Sequence, residues 1–376
     1  AADNGIPKIE EFNRGDNFGT AYFQMNQKGG KRWSAAHAFL NPAKSRDNLD
    51  IQTHAQVQQL RFDGDKPNQV TGVSVSINGG PTQTIRADRE VILAAGAIAS
   101  PQLLQASGIG EQNHLNKAGI KTRHNLPGVG ENLQDHLQIR TIYKVHNTVT
   151  LNKLANSMIG KARMGLEYLL FKSGPMTMPP SQLGAFAKSD PSQSSANIEW
   201  HVQPLSLEKF GEPLHRFDAI TPSVCNLRPS SRGHIRLKTS DMSEAPTIRL
   251  NYLDTEDDKQ VAVDGLKFTR KIMASKALAP FAPEALKPGP EIESDEALRE
   301  AAGDLGTTIF HPVGTCKMGS DPMAVVNDRL QVHDLQGLRV IDASIMPTIV
   351  SGNTNAPTVM IAEKGATFIL EDAGKI

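Results

Sequence analysis

The stretch that most narrows what this chain can fold into is Glu90-Val-Ile-Leu-Ala-Ala95, a short apolar run closed by Gly96. A run of this kind suits a strand buried on both faces, as in a parallel sheet. Ser100-Pro101 follows at once, reading as an N-cap and a proline at the first helical position. Leu103, Leu104 and Ser107 continue at helical spacing, and Gly108 stands where a helix ends in the left-handed conformation. Strand, glycine turn and helix together describe one crossover of a doubly wound sheet. The same style returns near the end, where Leu338-Arg-Val-Ile-Asp342 reads as a buried strand and 357–370 has helical periodicity.

Between these regions the texture changes. The first forty-odd residues are polar and glycine-rich, with no helix of useful length. Asn48 to His54 and Val57 to Phe62 alternate like strands, Asp63-Gly64 marks a turn, and Val70 to Ser76 alternates again, which predicts an antiparallel meander. From about 141 to 302, Met- and Pro-rich stretches alternate with strand-like runs at 196–202 and 234–238, and 256–271 reads as a helix. The expected fold is therefore α/β: a doubly wound domain, incomplete in this chain, with a second α+β domain built on an antiparallel sheet flanked by helices. The expected boundaries are 1–140 and 306–376 for the first domain and 141–305 for the second.

Forty basic residues balance forty acidic ones, so net charge favours neither nucleic acid nor an anionic membrane as main partner. No apolar run reaches the length of a membrane-spanning helix. The sequence reads as cytoplasmic, with peripheral membrane attachment as the alternative. Cys225 and Cys316 are expected to be two reduced thiols, and no Cys/His spacing points to a zinc site, so no metal is expected.

Three stretches then carry a specific resemblance. Gly96-Ala-Ile-Ala-Ser-Pro-Gln-Leu-Leu-Gln-Ala-Ser-Gly-Ile-Gly110 is similar to the second signature of the glucose-methanol-choline oxidoreductases. His311-Pro-Val-Gly-Thr-Cys-Lys-Met-Gly319 is the second stretch. Leu338-Arg-Val-Ile-Asp-Ala-Ser-Ile-Met-Pro347, with Ser351-Gly-Asn-Thr-Asn-Ala-Pro-Thr358, is the third. In this order they resemble the choline-dehydrogenase-like branch of that family. The resemblance implies FAD as cofactor, a small alcohol as substrate, and oxygen or a quinone as electron acceptor.

It also implies roles for residues. Oxidising an alcohol needs a hydride acceptor, a group that takes the hydroxyl proton and donors to the developing alkoxide. His311 maps onto the family's catalytic histidine, and Asn353, eleven residues after Asp342, onto its histidine-or-asparagine partner. An asparagine donates at any working pH, which suits that second role. Val57, Ala95 and Gly96 resemble positions flanking the adenine and ribose. Asp342 and Ala343 resemble a turn against the pyrophosphate, and Asn355 and Pro357 the helix N-terminus facing the flavin. On local grounds alone Gly96 reads as a point of close chain approach, Asp342 equally as a cap, and His136, in Gly128-Val-Gly-Glu-Asn-Leu-Gln-Asp-His136, as structural.

Full-length members open with a Gly-x-Gly-x-x-Gly strand–turn–helix, and this sequence contains no such stretch. The expectation is a fragment of a longer enzyme, with its own N-terminal fragment as a candidate partner. A natural truncation that does not hold FAD and does no catalysis is one alternative, and a flavin-containing hydroxynitrile-lyase-like enzyme is another. The substrate wall is expected from 174–183 and 200–204, with Met176, Met178 and Trp200 lining an apolar cavity. With 5% aromatic residues and no aromatic cage in view, an aliphatic or aryl primary alcohol is favoured over choline.

Overall fold

The computed structural model describes residues 1–375, a mixed α/β chain that divides into two compact units. Unit 1 gathers Ala1–Asp50, Leu137–Leu227 and Thr255–Thr308; unit 2 gathers Ile51–His136, Arg228–Asp254 and Ile309–Ile376. Two crossings lie within about four residues of the positions read from composition. The first fifty residues, however, cluster with the central segment, and 228–254 cluster with the C-terminal one.

Unit 1 is built on an antiparallel sheet. Its strands run in the order Gly19–Tyr22, Leu183–Ala187, Ile198–Gln203, Ala219–Asn226, Leu137–Ile139 and Gly306–Thr308, with Ile142–Lys144 and Glu284–Lys287 branching from it. One face is covered by the helix Glu256–Met273. Thr255 caps that helix by accepting from the Asp258 amide; acidic residues fill its first turn and Arg270 and Lys271 its last, matching the helix dipole. Gly265 lets the helix approach closely, since a Cβ there would sit 3.1 Å from Val224. Trp200 is buried on this side, its indole N–H donating to Thr269 at 2.8 Å and its ring meeting Phe268 edge-on. Trp200 is thus core rather than a cavity wall, because the two-residue period of the strand turns it toward the helix. Met176 and Met178 are exposed.

The period that sends Ile198 and Trp200 to the helix sends Glu199, His201 and Gln203 to the opposite face. All three are buried, as are Thr221, Ser223 and Cys225 of the neighbouring strand. Burial pushes the Glu199 carboxyl up to about 8.

Unit 2 contains the expected meander, Ala55–Phe62, Val70–Ile77 and Thr82–Arg86, all antiparallel. Residues 48–54 form no strand; they are almost wholly exposed and offer only Leu49 and Ile51 as apolar residues. Val91–Leu93 and Leu338–Val340 pair in parallel, as a crossover requires. Leu93 and Val340 enter a core with Leu104, Val313, Val325 and Ile345. Ile92 is 43% exposed, so the predicted two-sided burial holds for only part of the run.

Both helix starts differ from the sequence reading. The helix after the first parallel strand is Gly96–Ala106, with Pro101 inside it, and the C-terminal helix is Asn355–Asp372. Gly96 has φ +80, and a Cβ added to it would meet nothing within 4 Å, so backbone conformation, not close approach, requires glycine there. Gly108 does close its helix with φ +82. Both cysteines are buried and neither is in a disulfide. No helix among the described residues is long and apolar enough to cross a membrane.

Candidate active site

The candidate functional residues of unit 2 are held by two lengths of loop that run past each other. Gln134 and Val313 exchange backbone hydrogen bonds at 3.0 and 2.9 Å, a register that brings His136 alongside His311. Phe310 breaks the pairing with φ +67, unusual for a non-glycine residue, and the Ile309 amide turns back to the His136 carbonyl at 3.3 Å. Gly314 follows with φ +94, packed where a Cβ would lie 2.6 Å from the Asn132 carbonyl. Sequence reading gives this glycine no role; its conformation shows why the loop needs it.

Asp135 anchors both histidines. Its Oδ1 accepts from the backbone amides of His136 at 3.0 Å and His311 at 2.8 Å, and its Oδ2 accepts from the Tyr252 hydroxyl. His311 is 8% exposed. Its Nδ1 lies 3.1 Å from Nδ1 of His136, and its Nε2 lies 3.4 Å from Nδ2 of Asn353, which is exposed. With the Asn353 amide assigned as donor to Nε2, that nitrogen carries the lone pair and the ring proton is assigned to Nδ1, facing Nδ1 of His136. Burial pulls the His311 pKa below the ordinary histidine range, and the Asp135 charge opposes this only in part. The neutral ring, the form able to accept a proton, is therefore favoured.

A second connection ties this loop to the Gly96–Ala106 helix. Pro101 has no N–H to give to the Ala97 carbonyl one turn back. That carbonyl instead accepts the Thr315 hydroxyl at 2.6 Å. The proline of one motif thus creates the acceptor that the threonine of another fills. Ser100, expected as an N-cap, lies inside the same helix and donates to Oδ2 of Asp342 at 2.6 Å.

The remaining predicted positions are distributed around this centre. Asp342 ends the Leu338–Val340 segment, taking the Gly96 amide and the Ser100 hydroxyl on Oδ2 and the Ser344 amide on Oδ1. It is a buried junction between the two parallel-strand turns and caps the turn that Ala343 begins. Ala95 precedes the Gly96–Ala106 helix, and its amide donates to Oγ of Ser100. Val57 sits in the meander beside a register shift. Asn355 opens the C-terminal helix and Pro357 lies in its first turn, where a missing N–H breaks no helical bond. Sequence reasoning misses the Asp135 and Tyr252 contacts. Asp135 stands beside a residue that the reading singles out, whereas nothing marks Tyr252, 117 residues away.

Comparison with known proteins assigns the chain to one family. A GMC oxidoreductase model matches residues 1–138 and a second matches 229–362, together well over half of the chain. The chain belongs to the GMC oxidoreductase family. This GMC chain is 40% identical over 370 residues to an oxygen-dependent choline dehydrogenase of Serratia proteamaculans, covering 97% of the chain and 65% of the relative. It is equally 40% identical, over 362 residues, to an alcohol dehydrogenase [acceptor] of Pseudomonas putida, covering 96% and 65%. It thus spans about 65% of the length of these relatives. Among solved structures, pyridoxine 4-oxidase from Mesorbium loti superposes with a TM-score of 0.85 at 29% identity, covering 97% of the GMC chain and 67% of that structure. An FAD-dependent oxidoreductase from Chaetomium thermophilum gives 0.89 at 23% identity over 99% and 71%, a likeness of fold.

Proposed function

We propose that this chain carries the acid–base centre of a flavin-dependent enzyme that oxidises a primary alcohol to an aldehyde. The observation that carries the reading is His311: buried, biased toward the neutral form, anchored at Nδ1 by His136, and turned at Nε2 toward an exposed amide. Such a nitrogen accepts the hydroxyl proton of an alcohol placed between it and Asn353. The Asn353 amide then donates to the oxygen as it gains negative charge, a donor whose strength does not change with pH. Anchoring through His136 keeps the accepting lone pair on the substrate side throughout.

FAD, when bound, supplies the hydride acceptor that this chemistry requires. The residues on hand fit it in two respects. The Asn355–Asp372 helix has no side-chain cap, so its first amides are left to an anionic or carbonyl-rich group. Gly96 turns through positive φ with open space in front of it. Asn355 and Pro357 would lie against the flavin ring; Ala95, Gly96, Asp342, Ala343 and Val57 would hold the dinucleotide. The redox partner after the alcohol is oxygen or a quinone.

The test is anaerobic mixing of the full-length flavoprotein with a series of primary alcohols. Bleaching of the flavin band that tracks aldehyde formation, and is lost in His311→Ala, supports the reading. A flavin that stays oxidised while substrate is consumed points instead to lyase chemistry, and absence of bound flavin would sink both.

A further inference from the structure

Unit 1 carries a cluster that alcohol oxidation does not use. Glu199 and His201 alternate on one strand and lie opposite Cys225 and Ser223 on the next, giving a block of four side chains on the sheet face away from the Glu256–Met273 helix. All four are buried. His201 Nε2 lies 3.3 Å from Oε1 of Glu199, and Cys225 Sγ lies 4.0 Å from Oε2 of Glu199. Donor atoms of the carboxylate, imidazole and thiol all fall within 4.8 Å of one another.

We propose that Glu199, His201 and Cys225 bind one divalent cation of borderline softness, Zn²⁺ in particular. Four observations support it. First, the spacing is that of ligands sharing an ion: metal–ligand bonds of about 2.0–2.3 Å in a tetrahedron place neighbouring donors roughly 3.3–3.7 Å apart. The two measured separations need at most a few tenths of an ångström of closure.

Second, the donor set is chemically selective. One thiolate, one imidazole and one carboxylate suit zinc and disfavour the all-oxygen preference of magnesium or calcium. Two anionic donors and one neutral donor also cancel the charge of a divalent ion, so a dry site carries no net charge.

Third, the block contains buried polar atoms that the protein leaves unused. Among the described residues, Oε1 of Glu199 and Oγ of Ser223 make no hydrogen bond of acceptable geometry. Both belong to the same four-residue block, Ser223 being the strand-register partner of His201. Burying such atoms without a partner costs stability unless something else engages them.

Fourth, the imidazole is held in place. Gly184 lies opposite His201 on the other neighbouring strand, and a Cβ on it would meet the Phe23 ring at 2.3 Å. The missing side chain admits that ring, which stacks on His201 at 4.9 Å and 21°. Phe12, Phe23 and Phe186 make an aromatic cluster against Cys225, keeping the thiol in apolar surroundings. Fixed ring orientation and a hydrophobic shell are what a ligand set requires around it.

The experiment uses the full-length protein, stripped with a chelator and then titrated with Zn²⁺ against a chromophoric competitor, with Co²⁺ as a spectroscopic substitute. The expected result is one equivalent of Zn²⁺ per chain. A thiolate-to-cobalt charge-transfer band should accompany Co²⁺ and disappear in Cys225→Ser. Affinity should fall by more than about 100-fold in Glu199→Gln, a near-isosteric change that removes a direct ligand, since losing even an outer-shell partner costs about 10–100-fold. Two results overturn the proposal: no stoichiometric binding by the unmodified protein, or stoichiometric binding without the charge-transfer band. Because the cobalt spectrum is read on the unmodified chain, the outcome does not depend on whether either variant folds.

Discussion

Two buried carboxyl groups in this chain are treated in opposite ways. Asp135 in unit 2 accepts two backbone amides and a tyrosine hydroxyl, and by doing so fixes the two histidines of the candidate active site. Glu199 in unit 1 lies among side chains only, with one oxygen lacking a well-formed hydrogen bond among the described residues, and burial pushes it up to about 8. The difference is one of donor origin. Loops that bend back on themselves free amides and aim them at a carboxylate, whereas a regular sheet commits its amides to its own ladder. In this chain the carboxyl on the loop junction is held by backbone donors, and the one on the buried sheet face is not.

The comparison breaks first at the chemistry. His311→Ala should lower kcat/KM for a primary alcohol about 10²–10⁴-fold with flavin content unchanged, as loss of a general base does. In the unmodified enzyme, kcat/KM should rise with pH as His311 loses its proton. Because burial lowers its pKa, the midpoint of that limb should fall below the ordinary histidine value near ~6.5. A limb centred above that value would contradict the buried-base assignment.

Next in size is the loop carboxyl itself. Asp135→Ala leaves two amides and a hydroxyl without their acceptor, and should lower unfolding free energy by about 3 kcal/mol in denaturant titrations. Thr315→Val should cost about 1–3 kcal/mol, because the Ala97 carbonyl then has neither the hydroxyl nor a backbone N–H at position 101. Pro101→Ala supplies that N–H, so the double variant should recover part of the loss; strict additivity would deny the coupling. The smallest effect is expected at Glu199→Met, which in metal-free protein should change stability by no more than about 1 kcal/mol, in either direction. A loss as large as that of Asp135→Ala would erase the distinction between the two sites.

How much of this is legible in sequence depends on whether partners lie near one another along the chain or within a recognisable motif. The parallel strands, the meander and the Glu256–Met273 helix can be read because local periodicity encodes them, and the approach of His311 to Asn353 follows from the family resemblance. The two prolines mislead. Pro101 and Pro357 read as first helical residues, but both helices begin earlier, one with a proline tolerated because a distant hydroxyl takes the orphaned carbonyl. Trp200 reads as a cavity wall because composition does not tell which way a strand faces. The Glu199–His201–Cys225 cluster escapes motif reading altogether, since its members meet through strand register over 26 residues rather than through spacing.

The carbonyl left open by Pro101 also says something about the order in which this protein can be made. When residues 96–106 leave the ribosome, the group that completes their helix is still 218 positions from Ala97. The strand at Val91–Leu93 waits even longer for its parallel neighbour at Leu338–Val340. The early half of unit 2 therefore emerges with this crossover unfinished, and stays so until the segment around 315–340 has followed it. The folding of this unit waits on its later segment, the same segment that brings His311.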